Sequence, residues 1–129
     1  MNILVSGATG FIGSHLVRKL LGQKHKVFIS VRPNSDINRI NDIFNKLIKV
    51  PIDQLNKAFQ EDQIDGVIHL ATYYRKENLD SEIRRMHEVN IEFPSQLLTL
   101  SKKYRSTFFI NTGTCFEYAP SKNSLDESS

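Results

Sequence analysis

Ile3-Leu4-Val5-Ser6-Gly7-Ala8-Thr9-Gly10-Phe11-Ile12-Gly13 decides how this chain folds. The apolar, partly β-branched run at its start reads as a buried strand. After it, Ile12, Leu16, Val17, Leu20 and Leu21 recur at helical spacing, so the glycines fall on a strand-to-helix turn. That context separates a phosphate-binding turn from chance glycines. Gly7 permits a sharp exit from the strand. Gly10 lets a pyrophosphate approach the backbone with no Cβ in the way, and Gly13 lets the helix pack closely. The helix then points unpaired N–H groups and the positive end of its dipole at the phosphates.

The remaining chain repeats the strand-then-helix theme. Strands are expected at 2–6, 27–31, 44–50, 66–71 and 107–111, and helices over 11–22, near 36–42, from 52 and over 81–104. In the last of these, Ile83, Met86, Val89, Phe93, Leu97 and Leu100 recur three or four apart, and Pro94 predicts a kink or break. Alternating strands and helices imply right-handed crossovers and an α/β, doubly wound parallel sheet, a Rossmann fold. The expected strand order is 3-2-1-4-5, with a ligand over the carboxyl ends near the first and fourth strands.

Composition narrows the function classes. The 129 residues are 40% hydrophobic and 24% charged, with net charge +3, consistent with one soluble domain. No basic stripe interleaved with aromatics appears, so no nucleic-acid partner is expected. Arg84-Arg85 and Lys102-Lys103 read as solvated helix faces. No apolar run is long enough for a membrane span, and no signal peptide is read before the first strand. One cysteine, Cys115, allows no internal disulfide, and no metal-binding cluster is seen; a cytoplasmic location is expected.

The residue ending the second strand discriminates between nicotinamide cofactors. A carboxylate there binds ribose hydroxyls, whereas an arginine faces a 2′-phosphate. Val31-Arg32-Pro33 offers Arg32 and no acid, which favours NADP over NAD. Ser30, Asn34 and Ser35 are further hydrogen-bonding candidates.

Ser6 to Leu16, with its Gly-x-x-Gly-x-x-Gly spacing, resembles the opening of the extended short-chain dehydrogenase/reductase family of nucleotide-sugar epimerases, dehydratases and reductases. Val67-Ile68-His69-Leu70-Ala71-Thr72, Val89-Asn90-Ile91 and Phe108 to Tyr118 are similar to later blocks of that family. The nearest branch makes dideoxy sugars on nucleotides, as the abequose-type synthases do. The resemblance implies cofactor contacts from Gly7, Thr9, Gly10, Phe11, Ile12, Gly13, Arg32, Leu70, Ala71, Thr72, Asn90 and Thr112. It places Thr114 on the catalytic Ser/Thr and makes His69 structural. Val-Arg at 31–32 is similar to the NADP-using reductases. The family's adenine-binding Asp after the third strand has only Asp53 near it, better read as a helix N-cap.

The family's chemistry also needs a Tyr and a Lys four apart on one helix, about two dozen residues after Thr114. Tyr118 and Lys122 have that spacing, but Pro120 opposes a helix between them. Residues 1–129 therefore resemble a dinucleotide-binding domain that stops before the catalytic helix and substrate lobe. The expected activity of the longer enzyme is hydride transfer at a sugar carbon of a nucleotide sugar. The alternative is a non-catalytic dinucleotide-binding or interaction module. Apolar surface left on 81–104 and the fifth strand predicts a homo-oligomer.

Overall fold

The computed structural model describes residues 1–76 and 79–114. Five parallel strands form one sheet: β1 (Asn2–Ser6), β2 (Lys26–Val31), β3 (Ile48–Pro51), β4 (Gly66–His69) and β5 (Phe108–Asn111). Their order is β3-β2-β1-β4-β5, as the alternating pattern predicts. The first strand therefore lies at the centre, with Ile3 opposite Val27 and Leu4 opposite Val67. Asn2 anchors its start: its backbone N–H donates to Asp65 Oδ2 at 2.6 Å and its side chain to the Asp62 carbonyl.

The helices are α1 (Phe11–Gly22), α2 (Leu55–Asp62), α3 (Asp80–His87) and α4 (Phe93–Lys103). The pleat sends alternate residues to opposite faces. On one face Ile3, Val5, Val27 and Ile29 pack with Val17 and Leu20 of α1 and with Ile40 and Leu47. On the other, Leu4, Phe28 and Val67 pack with Leu55 and Phe59 of α2 and Leu97 and Leu100 of α4.

Two expectations need correction, and the break expected at Pro94 takes a definite form. The segment expected as a helix over 36–42 is a run of 3-10 turns, Asn38–Lys46, and it absorbs Phe44, so β3 starts at Ile48. Within that run Ile40 is fully buried while its polar neighbours face solvent. Asp53 makes no capping bond and sits inside a 3-10 turn, Ile52–Gln54, that leads into α2. The helix expected over 81–104 is interrupted by a π-turn, Glu88–Glu92, where the Phe93 N–H reaches the Glu88 carbonyl five residues back. Pro94, in the first turn of α4, has no N–H to continue the regular ladder. Cys115, Tyr118 and Lys122 lie outside the described residues.

Candidate functional site

A cleft of about 1000 Å³ opens over the carboxyl ends of β1 and β4. That is the upper end of the usual size for small-molecule sites, roughly 300–1,000 Å³. The turn between β1 and α1 forms its floor. Gly7 has φ +71°, and a Cβ there would stand 2.7 Å from the Ala71 nitrogen. Only glycine lets the chain leaving β4 pass this close. A Cβ on Gly13 would stand 2.1 Å from the Gly7 carbonyl oxygen. Gly13 therefore lets α1 close on the turn itself, rather than on the strand as its spacing implies. At Gly10 the nearest atom to such a Cβ is the Gly7 oxygen at 3.3 Å, so its outer side is open.

Hydrogen bonding leaves this turn partly unsatisfied. Gly10 N–H donates to the Gly7 carbonyl at 3.1 Å, and Ser14 N–H to the Gly10 carbonyl at 2.9 Å. No side chain caps the helix. Among the described residues, no acceptor takes the N–H of Phe11, Ile12 or Gly13. All three residues line the cleft, as do Gly7, Thr9 and Gly10. Three unpaired donors at the positive end of a helix fit a diphosphate group.

Arg32 lies just past β2 and lines the same cleft, with Ser30 and Ser35 beside it. Its backbone N–H donates to Ser35 Oγ at 3.0 Å, closing a turn that fixes its Cα. No described residue pairs with its guanidinium. Asn34 does not reach the cleft. At the third-strand position Ile52, not Asp53, forms the lining.

The exit of β4 is held from below. Ser6 Oγ accepts from the Leu70 N–H at 3.2 Å and the Ala71 N–H at 3.3 Å. Its own proton goes to His69 Nδ1 at 2.7 Å. His69 is 3% exposed, lies edge-on to Phe93 and does not line the cleft. Burial pushes its pKa below the ordinary 6.5. A neutral imidazole accepting from a buried serine is a structural part. The His69 carbonyl in turn accepts from both the N–H and the hydroxyl of Thr112. Leu70, Ala71, Thr72 and Thr112 all line the cleft.

Asn90 sits in the π-turn and does not line the cleft. Its Oδ1 accepts from the Tyr73 N–H at 2.9 Å, and its Nδ2 donates to the Tyr73 carbonyl at 2.7 Å. It clamps the loop that carries Thr72. Thr114 is exposed and lies beyond Thr112 and Gly113, off the cleft lining.

The sequence reading missed the far wall, where Tyr73, Arg85, Glu88, Val89, Glu92 and Gln96 face the cleft. Arg85 reads as a solvated surface charge in the sequence, but its guanidinium lies over the Tyr73 ring at 4.5 Å. Its spacing of five residues from Asn90 placed it on the same helix. No pattern showed that the helix would turn it towards the β4 loop.

Among the described residues no cluster of His, Cys, Asp or Glu could hold a metal ion, and no helix is long and apolar enough to cross a membrane.

Comparison with known proteins agrees with this geometry. The chain is 30% identical over 114 residues to the CDP-abequose synthase of Salmonella muenchen, covering 88% of this chain and 38% of that one. It thus spans well under half the length of the curated relatives it matches. The UDP-glucuronic acid 4-epimerase of Bacillus cereus, solved with UDP-glucuronic acid and NAD, superposes with TM-score 0.77 at 27% identity. The match covers 99% of this chain and 45% of that structure. The UDP-N-acetylglucosamine 4-epimerase of Methanobrevibacter ruminantium gives TM-score 0.79 at 27% identity, covering 98% and 42%. The profile of the NAD dependent epimerase/dehydratase family matches residues 3–129. With the sheet order, the glycine turn and this match in agreement, the chain belongs to the NAD dependent epimerase/dehydratase family.

Proposed function

We propose that residues 1–129 are the dinucleotide-holding part of a nucleotide-sugar epimerase, dehydratase or reductase. The observation that carries this reading is the trio of unpaired N–H groups at Phe11, Ile12 and Gly13, opening into the cleft. They would hold the cofactor's diphosphate, with Gly10 giving it room. Leu70, Ala71, Thr72 and Thr112 would line the path towards the nicotinamide, and Asn90 would keep that path in place through Tyr73. The bound cofactor supplies hydride exchange with a sugar carbon. Thr114 would hydrogen-bond the reacting sugar oxygen, and a Tyr/Lys helix would move its proton. Residues 1–129 offer only Tyr118 and Lys122 at that spacing, so cofactor binding without turnover is the expected behaviour of this chain.

The phosphorylated cofactor is the favoured one. Arg32 has a fixed backbone, an unpaired guanidinium and no carboxylate beside it at the end of β2. Calorimetry with NADPH and NADH, on wild type and Arg32→Ala, tests this. Wild type should prefer NADPH by about tenfold, one charge-assisted contact's worth, and the variant should lose that preference. Equal affinities in wild type would remove the role of Arg32. Binding of neither cofactor would remove the dinucleotide reading itself.

Self-association belongs to the same reading. Ile83, Ile91, Leu98 and Ile110 are each about half exposed, between 49% and 55%. Apolar surface of this kind on α3, α4 and β5 favours association between copies. Sedimentation over a concentration series should show it, and a species that stays monomeric throughout would contradict it.

A further inference from the structure

The wall of the cleft formed by α3 and the π-turn carries a cation that the glycine turn does not account for. Arg85 lines the cleft with its guanidinium over the Tyr73 ring. That ring is itself fixed. Asn90 holds both backbone polar groups of Tyr73, and the Tyr73 hydroxyl donates to Glu82 at 2.6 Å. A guanidinium held over an aromatic face keeps N–H groups available for an anion, in its planar fork.

Nothing described uses those donors. The ion pairs of arginine and lysine among the described residues are Arg18–Asp42 and Lys26–Asp62, and no hydrogen bond among the described residues involves Arg85. The acids nearby are accounted for in turn. Glu82 is taken by Tyr73, and Glu92 by His87 at 3.1 Å. Glu88, three residues further on, faces the cleft without an ion pair to Arg85, so it competes with any incoming anion.

We propose that Arg85, seated on the clamped Tyr73 ring, is a receptor for a phosphate group of a ligand in this cleft. The phosphate belongs either to the dinucleotide or to a nucleotide sugar bound beside it. Both sources rest on the function proposed above, and the two titrations below test them separately.

The test is calorimetry on the 129-residue chain, comparing wild type, Arg85→Gln and Arg85→Lys. NADPH is titrated first, then UDP-glucose into protein saturated with NADPH, or into free protein should NADPH not bind. Adenosine serves as a probe without phosphate. Arg85→Gln should weaken one phosphate-bearing titrant by about tenfold, with Arg85→Lys in between because it keeps charge but not the fork. Adenosine affinity should stay the same. Weakening of NADPH assigns the receptor to the dinucleotide, and weakening of UDP-glucose alone assigns it to the second ligand. Equal weakening of adenosine would mean that Arg85 only props Tyr73, and the proposal falls. It falls equally if Arg85→Gln leaves both phosphate-bearing titrants within twofold of wild type. Failure of wild type to bind NADPH removes the cofactor reading, and the UDP-glucose titration then decides Arg85 separately.

Discussion

The face of the sheet that carries α1 has two unlike halves. Over β1 and β2 it is closed: Ile3, Val5, Val27 and Ile29 are at most 3% exposed beneath α1 and the 3-10 run. Over β4 and β5 it is open. Ile68 and Phe108 are only partly buried, and Ile110 is 50% exposed. The difference follows from connectivity. A right-handed crossover lays each helix over the strands that it joins, so α1 covers β1 and β2. The helices that lead to β5 lie on the other face, where Val67 and Phe109 pack with Leu97. The same residue types in the same sheet are thus core in one half and surface in the other.

The largest test of this contrast is a pair of truncations. Ile29→Ala should cost about 4 kcal/mol, because a fully buried isoleucine leaves a cavity under α1. Ile110→Ala should cost about 0.5 kcal/mol, as surface changes do. Urea unfolding of both variants measures the gap, and similar costs would mean that the open half is covered in solution.

The glycines give a second pair. At Gly13 a new methyl meets the Gly7 backbone oxygen, which cannot yield, so Gly13→Ala should cost about 3 kcal/mol. At Gly66 the methyl meets the Phe108 ring at 2.0 Å. That ring can swing towards the open half, so Gly66→Ala should cost about 1 kcal/mol. Thermal melting orders the two, and a larger loss at Gly66 would show that Phe108 is pinned.

The smallest effect lies where the halves meet. His69 has a folded pKa below its unfolded 6.5, so the unfolded chain binds the proton more readily. Its neutral form contributes full stability above 6.5. That contribution falls as pH drops towards the lowered value, with a slope of at most about 1.4 kcal/mol per pH unit. Ser6 Oγ already accepts from the Leu70 and Ala71 N–H groups, so a protonated Nδ1, 2.7 Å away, would bring it a third donor. His69→Asn should flatten the acid limb between pH 6.5 and 5 relative to wild type, measured by unfolding at each pH.

How much the sequence revealed follows the same division. The glycine turn, α1 and the strand order were legible because period and punctuation agree there: an apolar strand, glycines, then helical spacing. Phe44 misled the reading of β3, since a single aromatic on a 3-10 run looks like the start of an apolar strand. Pro94 announced an irregularity in the long helix but not its form. A π-turn depends on which carbonyl the Phe93 N–H finds, and the three-to-four spacing of apolar residues survives it. Arg85 was the least legible. Its role depends on Tyr73, twelve positions earlier on another element, and on an asparagine that fixes the ring's backbone.

The close passage of Gly7 by Leu70 and Ala71 bears on how the chain is made. The central strand is synthesised well before one of its neighbours, β4, which begins at Gly66. Until then β1 exposes an unpaired edge during synthesis, and its turn lacks the backbone that shapes it. Such long-range pairing slows folding and leaves nascent chains prone to clumping. Production at lower temperature or slower translation is the practical remedy that this geometry recommends.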